Sequence, residues 1–126
     1  MNYQSYDSIW KELREILLRE SLEIVYEDFE QYPGDLKEGE YRLSAPNKIY
    51  IDKMYEPKDS NTLNKEPLVI AHEVGHYFDL KNDSSLSVSI TVREARANDF
   101  MVELSKKHGL LEDALKEREW RETNAK

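Results

Sequence analysis

The run His72-Glu73-Val74-Gly75-His76 places two of the chain's three histidines four positions apart with an acid between them. On a helix, four positions amount to a rotation of about 400°, so both imidazoles leave from one face. Two such nitrogens can hold one zinc ion at about 2.0–2.1 Å, and Glu73 then projects beside the metal toward water. The chemistry implied is metal-assisted hydrolysis, in which the ion acidifies a water and a carboxylate takes its proton. The plainer alternative is a pair of packed or capping histidines beside a solvated glutamate. Gly75 bears on the choice, because glycine inside a helix costs about 1 kcal/mol relative to alanine. A close approach by another element would account for it, and so would simple tolerance of an imperfect helix.

A catalytic zinc site needs a third protein ligand and an open position. The pattern H-E-x-x-H-x-x-G-x-x-H fails, since Asp79 stands at its glycine and Asn82 at its third histidine. A cysteine ligand is excluded because the chain has none. A glutamate from the next helix remains, and Glu94 is the best candidate. Glu94-Ala95-Arg96-Ala97-Asn98 offers a carboxylate and, one turn later, an amide on the same face. Asn98 can accept the second ring proton of a metal-bound histidine, and Ala95 and Ala97 are small enough to let two helices approach. Thr91-x-x-Glu94 also reads as a capping box, in which Glu94 would close back on its own helix start. His108, in a final helical turn, reads as a residue that stabilises the helix dipole rather than a ligand.

These residues need elements to hold them. Ile9, Leu13, Ile16 and Leu17 predict an amphipathic helix from Ser5 to about Glu20, with Asp7 as cap. Leu22, Ile24 and Tyr26 alternate, and Glu40 to Leu43 and Lys48 to Asp52 give two further strand signals. A small antiparallel meander is the economical topology. Lys53 to Glu66 reads as a loop, followed by the histidine helix, capped by Asn64, with Pro67 in its first turn and its end near Leu80. Lys81 to Ser89 reads as a second loop. A helix from about Val92 to Lys107 follows, ending in Lys106-Lys107-His108-Gly109, a cation-then-glycine stop. The last helix, Leu110 to Glu122, offers Leu111, Ala114, Leu115 and Trp120 as anchors onto its own domain. The expectation is an α+β fold: a short antiparallel three-strand sheet packed on helices, in one domain spanning 1–126.

The 126 residues carry 18 Lys+Arg against 26 Asp+Glu, a net charge of −8, which disfavours direct binding of nucleic acid. A basic protein partner suits that charge better. The longest apolar run, Leu68 to Ala71, is too short to cross a membrane. Acidic residues at Asp7, Glu12 and Glu15 are unlike a secretory signal, so a cytoplasmic protein is expected. Without cysteine there is no disulfide framework, thiolate zinc finger or thiol nucleophile.

His72-Glu73-Val74-Gly75-His76-Tyr77, followed by Glu94-Ala95-Arg96-Ala97-Asn98-Asp99-Phe100 and preceded by the strand Lys48 to Asp52, resembles the ImmA/IrrE family of small gluzincin-type metallopeptidases. The resemblance runs from about Glu40 to Leu104. It implies a gluzincin-like fold, one zinc ion ligated by His72, His76 and Glu94, Glu73 as catalytic base, and Asn98 supporting a ligand. It implies a metallo-endopeptidase whose protein substrate is a helix-turn-helix repressor, in the setting of a bacterium, phage or mobile element. Gluzincins usually add a Tyr or His that stabilises the oxyanion, for which Tyr50, Tyr55, Tyr77 and His108 are candidates. The edge of the third strand, Ile49 to Asp52, is a candidate for receiving an extended substrate. The chain departs from the family's pattern at Arg96 and Met101, and one charged helix follows Leu104. Two other readings fit the same residues: a non-catalytic, zinc-stabilised module that sequesters a DNA-binding regulator, and the toxin partner of a helix-turn-helix antitoxin.

Overall fold

A computed structural model describes residues 3–32, 36–56 and 65–124. Helix α1 (Tyr3–Arg19) buries Tyr6, Ile9, Leu13, Ile16 and Leu17, the stripe that 3.6-residue spacing requires, and leaves Leu18 in water. Asp7 lies inside this helix rather than at its cap. The chain turns at Ser21, whose φ of 55° lies in the left-handed region, while the Leu22 N–H donates to the Leu17 carbonyl at 2.8 Å.

Three strands follow: β1 (Glu23–Glu27), β2 (Gly39–Glu40) and β3 (Lys48–Asp52). The expected antiparallel meander is corrected here. The order is β1-β3-β2, with β1 parallel to β3 from Glu23↔Lys48 to Glu27↔Asp52, and β2 antiparallel to it at Gly39↔Ile51 and Glu40↔Tyr50. Alternation in sequence fixes which face a side chain takes, not the order or direction of pairing. The strand with the most completely buried residues, Ile49 and Ile51, takes the centre. The strand expected over Glu40 to Leu43 is reduced to two residues, because Arg42 turns to Glu27 and Glu40 and Leu43 lies exposed.

Helix α2 (Glu66–Asn82) carries Pro67 in its first turn, as expected, but its cap position is Lys65, which makes no side-chain capping bond. Asn64, the expected cap, lies outside the described residues, as does most of the expected Lys53 to Glu66 loop. Every residue of α2 from Glu66 to Gly75 is buried, the signature of a helix surrounded by its own domain. Leu68, Val69, Ile70, Ala71 and Val74 join α1, the sheet and α3 in one core. Tyr26 ties β1 to the start of α2 by donating to Glu66 Oε2 at 2.5 Å.

Helix α3 (Ile90–Lys107) begins two residues earlier than expected, capped by Ser89, whose hydroxyl accepts the Val92 N–H at 3.2 Å. It crosses α2 closely enough that a Cβ on Gly75 would stand 2.9 Å from the Ala97 carbonyl oxygen and 3.0 Å from the Phe100 Cβ. Ala97 is fully buried at this crossing, whereas Ala95 is exposed and contributes nothing to it. The expected stop holds: Lys106 and Lys107 fill the last turn, His108 caps it and Gly109 has φ 74°. Helix α4 (Leu111–Asn124) then packs on α3, and of the expected anchors Ala114 is fully buried and Trp120 half-buried. Leu110, Ala114, Glu117 and Arg121 form the buried face, while Leu111 and Leu115 are more than one-third exposed. Among the described residues no helix is long and apolar enough to cross a membrane. The fold is α+β, with four helices and a three-strand mixed sheet among the described residues.

Candidate metal centre

His72 and His76 stack on one face of α2 with ring centroids 4.8 Å apart and planes at 85°. The loop 83–89 returns the chain so that α3 runs past this face. Its first exposed turn delivers Glu94, whose Oε2 lies 3.1 Å from His72 Nε2 and whose Oε1 lies 3.0 Å from His76 Nε2. One turn later Asn98 Oδ1 lies 2.9 Å from His72 Nδ1. The ligand atoms of His72, Glu73 and His76 all lie within 4.8 Å of one another, a group that could hold a metal ion. The capping-box role for Glu94 is removed, because Ser89 caps the helix and Thr91 sits inside it.

A salt-bridge clamp sets the helix register that makes this convergence. Arg93 and Arg96 flank Glu94, and both reach Asp79 of α2, at 2.8 and 2.9 Å. Arg93 also donates to the Asp83 and Ser85 carbonyls, so the turn between the helices is bound to the same side chain. Asp79 and Arg96 each depart from a familiar zinc-peptidase pattern, and together they tie α2 to α3.

The protonation chemistry of His72 is constrained on both sides. With Asn98 Oδ1 accepting from Nδ1, the neutral form of the ring has its lone pair on Nε2. That lone pair faces a carboxylate oxygen, and two electron-rich atoms at 3.1 Å need a cation between them, either a proton or a metal ion. Burial, aided by the charge of Arg121, holds the His72 pKa below its ordinary value. At His76 burial acts the same way but is outweighed by the Glu94 hydrogen bond and the charges of Glu73 and Glu94, so its pKa is raised. Burial would raise Glu94, but the two histidines overcome it and hold the carboxyl well below the usual range.

Glu73 is 2% exposed and is tightly housed. Gly39 of β2 packs against it so closely that a Cβ there would stand 2.9 Å from Glu73 Oε2. A cleft of about 450 Å³ opens over these groups. It is lined by segment 36–41 and Leu43 on the β2 side and, opposite, by Leu86 of the α2–α3 turn and Ile90 at the start of α3. Leu43, Leu86 and Ile90 are large apolar side chains left 67%, 94% and 78% exposed.

The expected oxyanion candidates do not line this cleft. Tyr50 carries the Arg42 guanidinium over its ring at 3.7 Å, Tyr55 donates to Glu38, and Tyr77 donates to Glu20 at 2.9 Å. His108 pairs with Glu12 at 2.8 Å and with Ser8, away from the centre, in keeping with the non-ligand reading. The strand edge beside the cleft belongs to β2, since β3 is hydrogen-bonded on both sides.

Sequence reasoning missed Arg121, which reaches from α4 to within 4.0 Å of Glu73 Oε2 and lines the cleft. It is held by Glu117, which accepts from Nε at 3.0 Å, and faces Glu38 at 3.5 Å. Lys65 bridges the same two acids at 2.6 and 2.9 Å. The one signal for this group was the Glu117/Arg121 spacing of four on the face that Ala114 shares. No family model matches the chain, and no curated protein or solved structure matches it.

Proposed function

We propose that the protein is a zinc-dependent endopeptidase of the ImmA/IrrE type. The single observation that carries the reading is the division of Glu94's two oxygens between His72 Nε2 and His76 Nε2, with Glu73 beside them and outside that pairing. Two imidazole nitrogens and a carboxylate are a donor set that suits zinc and leaves a position open.

In this reading His72, His76 and Glu94 hold the ion, and Asn98 fixes the His72 tautomer that leaves Nε2 basic. The chemistry such an ion supplies is Lewis acidity, which lowers the pKa of a water to about 7 and polarises a carbonyl oxygen. Glu73 takes the proton from the attacking water and passes it to the departing amine nitrogen. Gly39 leaves Glu73 the room to do so. Leu43, Leu86 and Ile90 provide apolar contacts for side chains of a peptide lying across the cleft, and the free edge of β2 offers backbone partners. The substrate, a helix-turn-helix repressor or similar regulatory protein, carries over from the family resemblance, and a basic substrate suits the net charge of −8.

The test is Glu73→Gln, assayed for zinc content and for cleavage of DNA-binding regulators encoded beside the gene. Zinc is retained and cleavage is abolished if Glu73 is the base. Equal cleavage by the variant would refute the mechanism.

A further inference from the structure

Residues 84–92 are the longest run of the chain without a charged side chain, and within them Leu86, Val88, Ile90 and Val92 alternate with Ser85, Ser87, Ser89 and Thr91. Alternation of this kind ordinarily marks a strand, yet the segment forms the α2–α3 turn and the first turn of α3. Its polar half holds that shape. The Ser85 and Ser87 hydroxyls lie 2.8 Å apart, Ser85 Oγ accepts the Ser87 N–H at 3.3 Å, Ser89 caps α3, and Arg93 donates to the Ser85 carbonyl at 2.7 Å. The apolar half has no such duty. Leu86, Val88 and Ile90 stand outside the core, and all three line the cleft over the metal centre. Folding gains little from apolar side chains left in water, as Leu86 and Ile90 are, and a cluster of them beside a cleft marks a binding surface. The charged residues lining the cleft outside the metal centre are already engaged: Lys37 pairs with Glu40, Glu38 with Lys65, Arg93 with Asp79, and Arg121 with Glu117.

We infer that the apolar bank of Leu86, Val88 and Ile90 determines specificity: it selects peptide segments with bulky apolar side chains beside the scissile bond, and charge has no part in that choice. The inference rests on the peptidase reading and names its substrate class. Segments of that composition are the ones a folded protein buries, so the substrate must present one in a linker or through local opening. The net charge of −8 then acts only at longer range, on the approach of a basic partner, while the bank decides which bond lies over the metal centre. Because the serine hydroxyls and Arg93 fix the turn before a substrate arrives, the bank loses little freedom when it is covered. Leu43, on the opposite side of the cleft, completes the apolar walls.

The experiment measures, by calorimetry on the zinc-loaded full chain, the affinity for three dipeptidyl hydroxamates that grip zinc alike and differ only in carrying Leu, Ser or Lys side chains. The wild type is expected to bind the Leu probe about 10-fold to 100-fold more tightly than the Ser probe, and the Lys probe no better than Ser. In the double variant Leu86→Ser with Ile90→Ser the preference for Leu is expected to shrink to less than about threefold, with zinc content and Ser-probe affinity unchanged. Both side chains already stand in water, so the urea midpoint of the variant is expected to be no lower than that of the wild type. Leu18→Ser, at an equally exposed leucine of α1 that does not line the cleft, is expected to keep the full preference. Equal affinity of the wild type for all three probes would overturn the inference, as would tightest binding of Lys or a preference for Leu that survives the double variant. Failure of the peptidase reading has another signature, in which the wild type binds none of the probes, and the inference then falls with it.

Discussion

Glu94 can serve two histidines because it is held from both sides of its own helix, by Arg93 and Arg96 on Asp79, and its oxygens are split between two Nε2 atoms. Asn98 acts one bond further out, on the His72 ring. Asn98→Ala is therefore expected to lower zinc affinity by about 10- to 100-fold while leaving the fold intact, measured by competition with a chromogenic chelator. Unchanged affinity would show that the ring needs no such support. Gly39→Ala acts on the base instead. The added Cβ lies 2.9 Å from Glu73 Oε2 and 3.0 Å from the Tyr50 carbonyl oxygen, so the carboxylate must move. Turnover is expected to fall by about tenfold or more at full zinc occupancy, and an unaffected rate would mean Glu73 has slack. The convergence of His72, His76, Glu94 and Asn98 was legible because the H-E-x-x-H motif and the four-residue spacing of Glu94 and Asn98 put them on two helix faces that can meet. Arg121 was not, because nothing local in a charged helix says which of its cations turns inward.

At the scale of elements, the α2–α3 crossing explains Gly75. Helix propensity alone would make Gly75→Ala stabilising by about 1 kcal/mol. Here the new Cβ meets the Ala97 carbonyl oxygen at 2.9 Å and its Cα at 3.0 Å, both backbone atoms that cannot rotate away. The substitution is expected to destabilise, with a lower midpoint in urea, and a higher midpoint would contradict the packing account. Element spans were readable from the sequence: Lys48 to Asp52 is β3 to the residue, and α1, α3 and α4 fall within a few positions. Their arrangement was not. The pairing of β1 parallel to β3 depends on how the segment between Glu27 and Gly39 crosses, and alternation carries no information about that. The capping-box alternative at Thr91 fails because Ser89, two residues earlier, offers the same hydroxyl chemistry and takes the cap.

Across the whole molecule, α4 closes the structure through a buried polar group that continues the face begun by Leu110 and Ala114. Glu38 and Glu117 share this group with Lys65 and Arg121, and they titrate in opposite directions. Burial pushes the Glu117 carboxyl up to about 7, helped by its hydrogen bond to Glu38 and that residue's charge. Burial would raise Glu38 too, but the Glu117 proton, Arg121 and Lys65 outweigh it and hold it low. Because folding raises the proton affinity of Glu117, its contribution to stability is complete below the ordinary 4.5 and is lost as pH rises through about 7. Wild-type stability is therefore expected to decline from about pH 5 to pH 8, and Glu117→Gln to flatten that slope, read from urea midpoints across the range. An identical slope in both proteins would contradict the shared-proton arrangement. The apolar side of the fold is conventional by comparison: Leu13→Ala, at a fully buried site of α1, is expected to cost about 2–5 kcal/mol.

The central claim is an open site of two histidines and one glutamate, and its most direct test is elemental analysis of the purified chain, of Glu94→Ala and of His108→Ala. The account predicts one zinc per chain in the wild type and in His108→Ala, and little or none in Glu94→Ala. Zinc retained in full without Glu94, or no zinc in the wild type after reconstitution, would contradict it.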